Sequence, residues 1–429
     1  MLVASVFSSL TPYDSLAQMP RLLFVVLIAT AMASMSNAAM VHDRLGGIKE
    51  LFWPGPLRGP VATAAPCPCS NASLCEPLTI VHEKEVYAFQ TNSTNWHNYR
   101  WDKLTSVVLY GGFNADMYCY AHSRGVRVMA TSGGVAPDQL TNKSARAAWV
   151  RSTIQYIQQY HLDGLNIDFE NRVADHSPEK EGLTMMVVEM AEALRPLYKP
   201  GAGFLVYDVA WRPGGIDGRF YDYKAISLLT DFVVIMDYDT RSQVFNVTTC
   251  TAYANSPIET TKVGIREYLE LFDMSSRLVL GVPWYGYRYP CINEYSGPGT
   301  VCQIPLTIPP WRGCNCSDAA GSQWPFNDMM KVIRNETDPS TGGYAISPLN
   351  NNVTGSYATY DFKIEGGQYK WYQAWFDTPE TTGSKYQVAR EHNLRGISMW
   401  NVDLLSDATT GKAAADTKAM WDAMDAFLN

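Results

Sequence analysis

Eight apolar runs of strand length, separated by helix-patterned segments, constrain this 429-residue chain more than any other feature. The runs lie at 86–89, 106–113, 127–134, 164–170, 204–211, 232–239, 278–286 and 396–401, and helical patterns occupy 145–160, 178–198, 258–272 and 381–392. Strand and helix in alternation predict an α/β chain with a parallel sheet. Eight such units close into a (β/α)8 TIM barrel. An open doubly wound sheet usually has fewer strands and opens on a glycine-rich turn, and no G-x-G-x-x-G occurs here.

One interval breaks the rhythm. Between the seventh run and the helix at 381, roughly 90 residues hold four cysteines, many prolines and glycines, and an aromatic stretch at 369–376. They predict a small α+β insertion after the seventh strand, at about 287–375, on the barrel rim where active sites of such barrels sit. The insertion forms one wall of a substrate cleft, or else a disulfide-tied decoration without substrate contact.

Residues 67–429 are expected to form this ordered domain. Arg21, the apolar run 22–33 and small residues at Ala31, Ala33, Ser36 and Ala38 have the layout of a secretory signal peptide across 1–39, with Met19 as an alternative start. Residues 40–66, rich in Pro, Gly and Ala, read as linker or propeptide. The run 22–33 is short for a bilayer span and no longer one follows, so no membrane insertion is expected. Sequons at Asn71, Asn92, Asn142, Asn246, Asn315, Asn335 and Asn352 are glycosylation candidates for an exported chain.

The nine cysteines, with Cys67-Pro-Cys69 and Cys314-Asn-Cys316 as close pairs, point to disulfides and leave at least one thiol unpaired. No histidines stand at ligand spacing beside them, so neither a metal nor a cofactor is expected. A net charge of -8, from 34 basic and 42 acidic residues, gives no electrostatic footprint for nucleic acid. Twelve Trp and 25 Tyr supply rings on which sugars dock their apolar faces, although most will be core.

The segment Asp163-Gly-Leu-Asn-Ile-Asp-Phe-Glu170 concentrates the chemistry. Strand alternation puts Asn166, Asp168 and Glu170 on one face and Leu165, Ile167 and Phe169 on the other. The apolar set packs under the helices, which forces the polar set into the barrel interior. Two nearby carboxylates there raise each other's proton affinity. Glu170, nearest the mouth, is the candidate general acid.

This segment resembles the DGxDxDxE signature of glycoside hydrolase family 18, the chitinase family. TSGG at 131–134, IMDYD at 235–239 and GISMW at 396–400 also match, and the resemblance spans nearly the whole chain from Cys67. Asn166 departs from the usual Asp. The chitobiase subgroup is similar in having Asn there, and CPCSNASLCEPL, DVAWRP and LVLGVPWYGYRYPC strengthen that likeness.

The resemblance implies a retaining, substrate-assisted glycosidase without a protein nucleophile. Glu170 would protonate the leaving oxygen, Asp168 would orient the acetamido N–H, and Tyr238 would hold the acetamido oxygen. Asn166 would orient Asp168, Trp400 would form the floor beneath the sugar, and Met236 and Asp239 would line the site. The implied substrate is the GlcNAc-GlcNAc core of free asparagine-linked oligosaccharides, cut from the reducing end by a monomeric lysosomal enzyme. A secreted chitinase and an inactive chitinase-like lectin are the alternatives.

Overall fold

The computed structural model describes residues 65–337, 344–351 and 355–429. The expected signal segment 1–39, nearly all of the expected linker 40–66, and Asn352 lie outside the described residues. Strands β1 (Glu85–Gln90), β2 (Ser106–Leu109), β3 (Arg127–Ser132), β4 (Gly164–Ile167), β5 (Phe204–Ala210), β6 (Phe232–Met236) and β7 (Leu278–Pro283) lie parallel to their neighbours. After an intervening sheet of five strands, β13 (Gly396–Trp400) pairs with both β1 and β7 and closes the barrel.

The pleat sorts the side chains as the sequence alternation requires. Tyr87, Phe89, Val108, Met129, Val206, Phe232, Val234 and Val279 fill the barrel. Val86, Ala88, Leu165, Ile167 and Leu280 face outward and pack with residues of the helices in a second, larger core. Those helices include α1 (Ala115–Ser123), α2 (Lys143–Gln159), α3 (Pro178–Leu194), α4 (Tyr223–Leu229) and α5 (Ile258–Phe272). Helix α5 buries Thr261, Gly264, Ile265, Tyr268 and Phe272, a stripe at helical spacing. Asn142 starts α2 by accepting from the backbone N–H groups of Ser144 and Ala145, and Ser177 with Pro178 starts α3.

Most of the strands end earlier than the apolar runs suggest. The second ends at Leu109 rather than 113, the fourth at Ile167 rather than 170, the sixth at Met236 rather than 239. At the barrel mouth the chain leaves the ladder while its side chains go on alternating. Phe169 still joins the outer core, two residues beyond β4.

Between β7 and the outer helix α7 (Pro379–Glu391), the chain builds β8 (Tyr285–Pro290), β9 (Ser322–Pro325), α6 (Phe326–Ile333), β10 (Tyr344–Asn351), β11 (Ser356–Glu365) and β12 (Gln368–Phe376). The strands form one antiparallel sheet in the order β10-β11-β12-β8-β9. Its core of Tyr285, Tyr287, Tyr289, Tyr360 and Trp375 is shared with Cys250, Ala252 and Ala254 from the segment after β6. A buried Arg288–Asp361 ion pair crosses it, with Nε at 2.9 Å from Oδ1.

Disulfides join Cys250 to Cys316 and Cys291 to Cys302 in this region, and Cys67 to Cys75 and Cys69 to Cys119 near the start of the described chain. Cys314 is the unpaired thiol, and it is buried. The Cys67, Cys69 and Cys75 sulfurs lie together as potential metal ligands, but each is already spent in a disulfide and offers no thiolate. Among the described residues, no helix is long and apolar enough to cross a membrane.

Candidate active site

The mouth of the barrel at β4, β5 and β6 opens into a cleft of about 300 Å³, at the lower end of the range for small-molecule sites. Glu170, Met236, Tyr238 and Asp239 line it, as do Trp211, Asp217, Arg219, Tyr287, Trp311, Arg312, Asp318 and Gln323. One wall is the barrel, and the other belongs to the inserted region through Tyr287, Trp311, Arg312 and Gln323.

Glu170 presents its carboxylate to the cleft with the side chain 45% exposed, and Arg219 Nη2 holds its Oε2 at 2.7 Å. The same guanidinium lies 3.5 Å from Asp217 Oδ2. Arg312 reaches across from the other wall and donates to the backbone carbonyls of Glu170, at 3.2 Å, and Asp217, at 3.0 Å.

Asp168 stands one pleat deeper. Its Oδ2 accepts from the Tyr110 hydroxyl at 3.0 Å, while Oδ1 is buried with no partner. Burial first, and then the negative charge of Glu170, pushes its pKa up to about 7.

Asn166 departs from its expected role in substrate binding and in orienting Asp168. It is wholly buried, accepts from the Tyr87 hydroxyl at 3.1 Å, and donates through Nδ2 to Asp208 Oδ2 at 2.6 Å. The β4 pleat turns it into the barrel one layer below Asp168, where β5 supplies its partner.

Tyr238 is half-buried at the cleft wall, its ring 6.1 Å from that of Tyr285. Asp239 accepts from the hydroxyls of Tyr285 at 2.5 Å and Tyr287 at 3.0 Å, so it links the barrel to β8 as well as lining the cleft. Burial raises its pKa, against the opposing effect of those two hydroxyls. Trp400, expected as the floor beneath the sugar, stands at the end of β13. It packs on Phe89 and, edge-on at 5.0 Å, on Tyr110, the residue that holds Asp168. Six sequon asparagines, 71, 92, 142, 246, 315 and 335, are exposed.

Sequence reasoning missed Tyr110, Asp208, Arg219, Asp217 and Arg312. Only Asp208 left a signal: on β5 it shares the inward parity of Phe204 and Val206, an acid in an otherwise apolar row. Arg219 and Arg312 come from loops, where no periodicity marks them.

The family model for glycosyl hydrolases family 18 matches residues 80–404. The chain belongs to this family. This glycoside hydrolase is 36% identical over 362 residues to the di-N-acetylchitobiase of Rattus norvegicus, covering 84% of this chain and 93% of that protein. The human di-N-acetylchitobiase is 33% identical over 364 residues, 85% of this chain and 89% of that one. A protein of Dictyostelium discoideum described as probable di-N-acetylchitobiase 2 is 36% identical over 369 residues, 84% and 91% of the two chains. Among solved structures, the family 18 chitinase of Cycas revoluta in complex with (GlcNAc)3 superposes with a TM-score of 0.61 at 17% identity, over 80% of this hydrolase and 99% of that chain.

Proposed function

We propose that this hydrolase cleaves the bond between the two N-acetylglucosamine residues at the reducing end of free asparagine-linked oligosaccharides, as part of lysosomal glycoprotein breakdown. The observation that supports it most is Glu170 open to the cleft, with Asp168 one pleat behind it and Tyr238 on the wall. The substrate class rests on the relatives named di-N-acetylchitobiase, each matched over most of its length. The Cycas chitinase, described with a GlcNAc trimer, holds sugars of the same chemistry on the same fold.

The reaction is substrate-assisted and retains configuration. Glu170 donates its proton to the glycosidic oxygen as the sugar's own acetamido oxygen attacks the anomeric carbon, so the bond to the leaving sugar breaks as a cyclic oxazolinium forms. The Asp168 carboxylate accepts the acetamido N–H and stabilises the positive charge growing on that nitrogen. The Tyr238 hydroxyl donates to the acetamido oxygen and fixes its approach. Water, with Glu170 now acting as base, opens the ring and returns the proton to Glu170.

Glu170→Gln tests the assignment. It keeps the side-chain shape and lacks the acid proton, so turnover should fall by at least about 100-fold with folding and sugar binding retained. Near-normal turnover would overturn it. Substrate class is tested by comparing a free oligosaccharide ending in GlcNAc-GlcNAc, the same glycan still joined to asparagine, and polymeric chitin. Preference for the first supports the reading, preference for chitin makes this a chitinase, and binding without turnover of any makes it a lectin.

A further inference from the structure

Among the described residues, the barrel also holds Asp208, a carboxyl that the proposed reaction does not use. Asp208 on β5 is 2% exposed. Its Oδ2 accepts from Asn166 Nδ2 at 2.6 Å, and its Oδ1 is buried without a partner. The titratable groups that face it are Tyr87 from β1, Tyr110 just after β2, Asp168 and Glu170 beyond the end of β4, and Tyr238 beyond the end of β6. None of these is a cation, and Arg219 is engaged by Glu170 and Asp217.

Tyr110 joins the two inner carboxyls. Its hydroxyl donates to Asp168, and the charges of both carboxyls act on it. Two largely buried carboxyls set close together, with Arg219 already paired to Glu170 and Asp217, do not both ionise near neutral pH, because each negative charge raises the proton affinity of the other. They hold one proton between them.

Geometry decides where it resides. Asp168 is only partly buried, has a tyrosine donor, and feels Arg219. Asp208 is sealed by the barrel, and its Oδ1 has no donor that would support a charge. We propose that Asp208 is a positioning residue that keeps the single proton of the Asp208 and Asp168 pair, and by staying neutral leaves Asp168 as the carboxylate that receives the acetamido N–H. The proposal rests on the substrate-assisted reading above for its use, but not for its test.

Burial supports the assignment, since it pushes the pKa of Asp208 well above the carboxylate range. The same arrangement accounts for Asn166. An aspartate there would bring a third carboxyl against the other two, whereas the amide offers Asp208 a donor and adds no charge.

Infrared difference spectroscopy on the folded enzyme at about pH 9, above the value of about 7 to which Asp168 is raised, comparing wild type with Asp208→Asn and Asp168→Asn, reads the proton directly. The wild-type-minus-Asp208→Asn spectrum should show the stretch of a protonated, buried carboxyl, and the wild-type-minus-Asp168→Asn spectrum should not, the other raised carboxyls such as Asp318 cancelling in both. A band lost in Asp168→Asn and retained in Asp208→Asn, or no such band in either difference spectrum, overturns the proposal. If Asp208→Asn does not fold, retention or loss in Asp168→Asn decides alone. In Asp208→Asn the acid limb of kcat/KM should stay within about half a pH unit of wild type; a fall of about one unit or more would mean that Asp208 had been ionised. Failure of Glu170→Gln to lose turnover would remove the reaction without moving the band, so the two ideas fail separately.

Discussion

At the scale of single residues the site is defined by how far each carboxyl lies from water. Glu170 is half-exposed and ion-paired, Asp168 is hydrogen-bonded with one oxygen sealed, and Asp208 is closed off. Burial and the charge of Glu170 raise Asp168 to about 7 in the free protein, so its charged form is lost as pH falls through that value. A bound sugar whose acetamido N–H donates to Asp168 favours the charged form and lowers that pKa. The acid limb of kcat, which reports the complex, should therefore lie at lower pH than the acid limb of kcat/KM, which reports the free enzyme. Coincident limbs in a steady-state pH series would argue against Asp168 as the acetamido partner. That Asp168 and Glu170 share a face was legible in the sequence, because period-2 alternation persists past the end of β4. That Asn166 serves Asp208 was not, since the partner lies on another strand and register between strands is a tertiary matter.

At the scale of elements two joints hold the barrel in shape, one at the start of β4 and one at the mouth. Gly164 opens β4 with φ 151°, and a Cβ there would meet the Phe204 carbonyl oxygen of β5 at 2.0 Å. Gly164→Ala should destabilise the fold by about 2 kcal/mol or more, through both strain and clash. Thermal or denaturant unfolding checks this, and an unchanged midpoint would be the contrary result. The second joint is Arg312, which hangs the inserted wall on the carbonyls of Glu170 and Asp217. Losing two charge-assisted hydrogen bonds loosens that wall, so Arg312→Ala should raise KM roughly tenfold while changing kcat less. Faster amide exchange around 305–316 should accompany it, and unchanged exchange there would deny Arg312 this part. The barrel strands and the four helical segments named were readable from periodicity, and α5 matches its predicted span. Strand ends were not, because apolar residues continue along the chain after the ladder stops.

For the whole molecule the fold is one closed barrel with a second, antiparallel core on its rim, joined through Asp239 and the β8 tyrosines. Disulfides tie the extremities to it. The Cys69–Cys119 bond, 50 residues apart, anchors the segment before β1 to helix α1. Replacing both cysteines with serine should cost about 2–4 kcal/mol by freeing the unfolded chain. Because this bond lies outside the cleft, kcat should be nearly unchanged at temperatures well below unfolding, and a large loss of kcat would show that the anchor reaches the site.

The amino-acid pattern alone determined the eight strands, the alternating layers and the face that Asp168 and Glu170 share, because these follow from local periodicity and the need to bury apolar side chains. The tertiary structure decided which groups meet inside the barrel and across the cleft. Tyr110 from just after β2, Asn166 from β4 and Asp208 from β5 come together, as do Glu170, Arg219 and Arg312 from separate loops. Closure and register set those distances, and a strand carries no information about its neighbours until the sheet has formed.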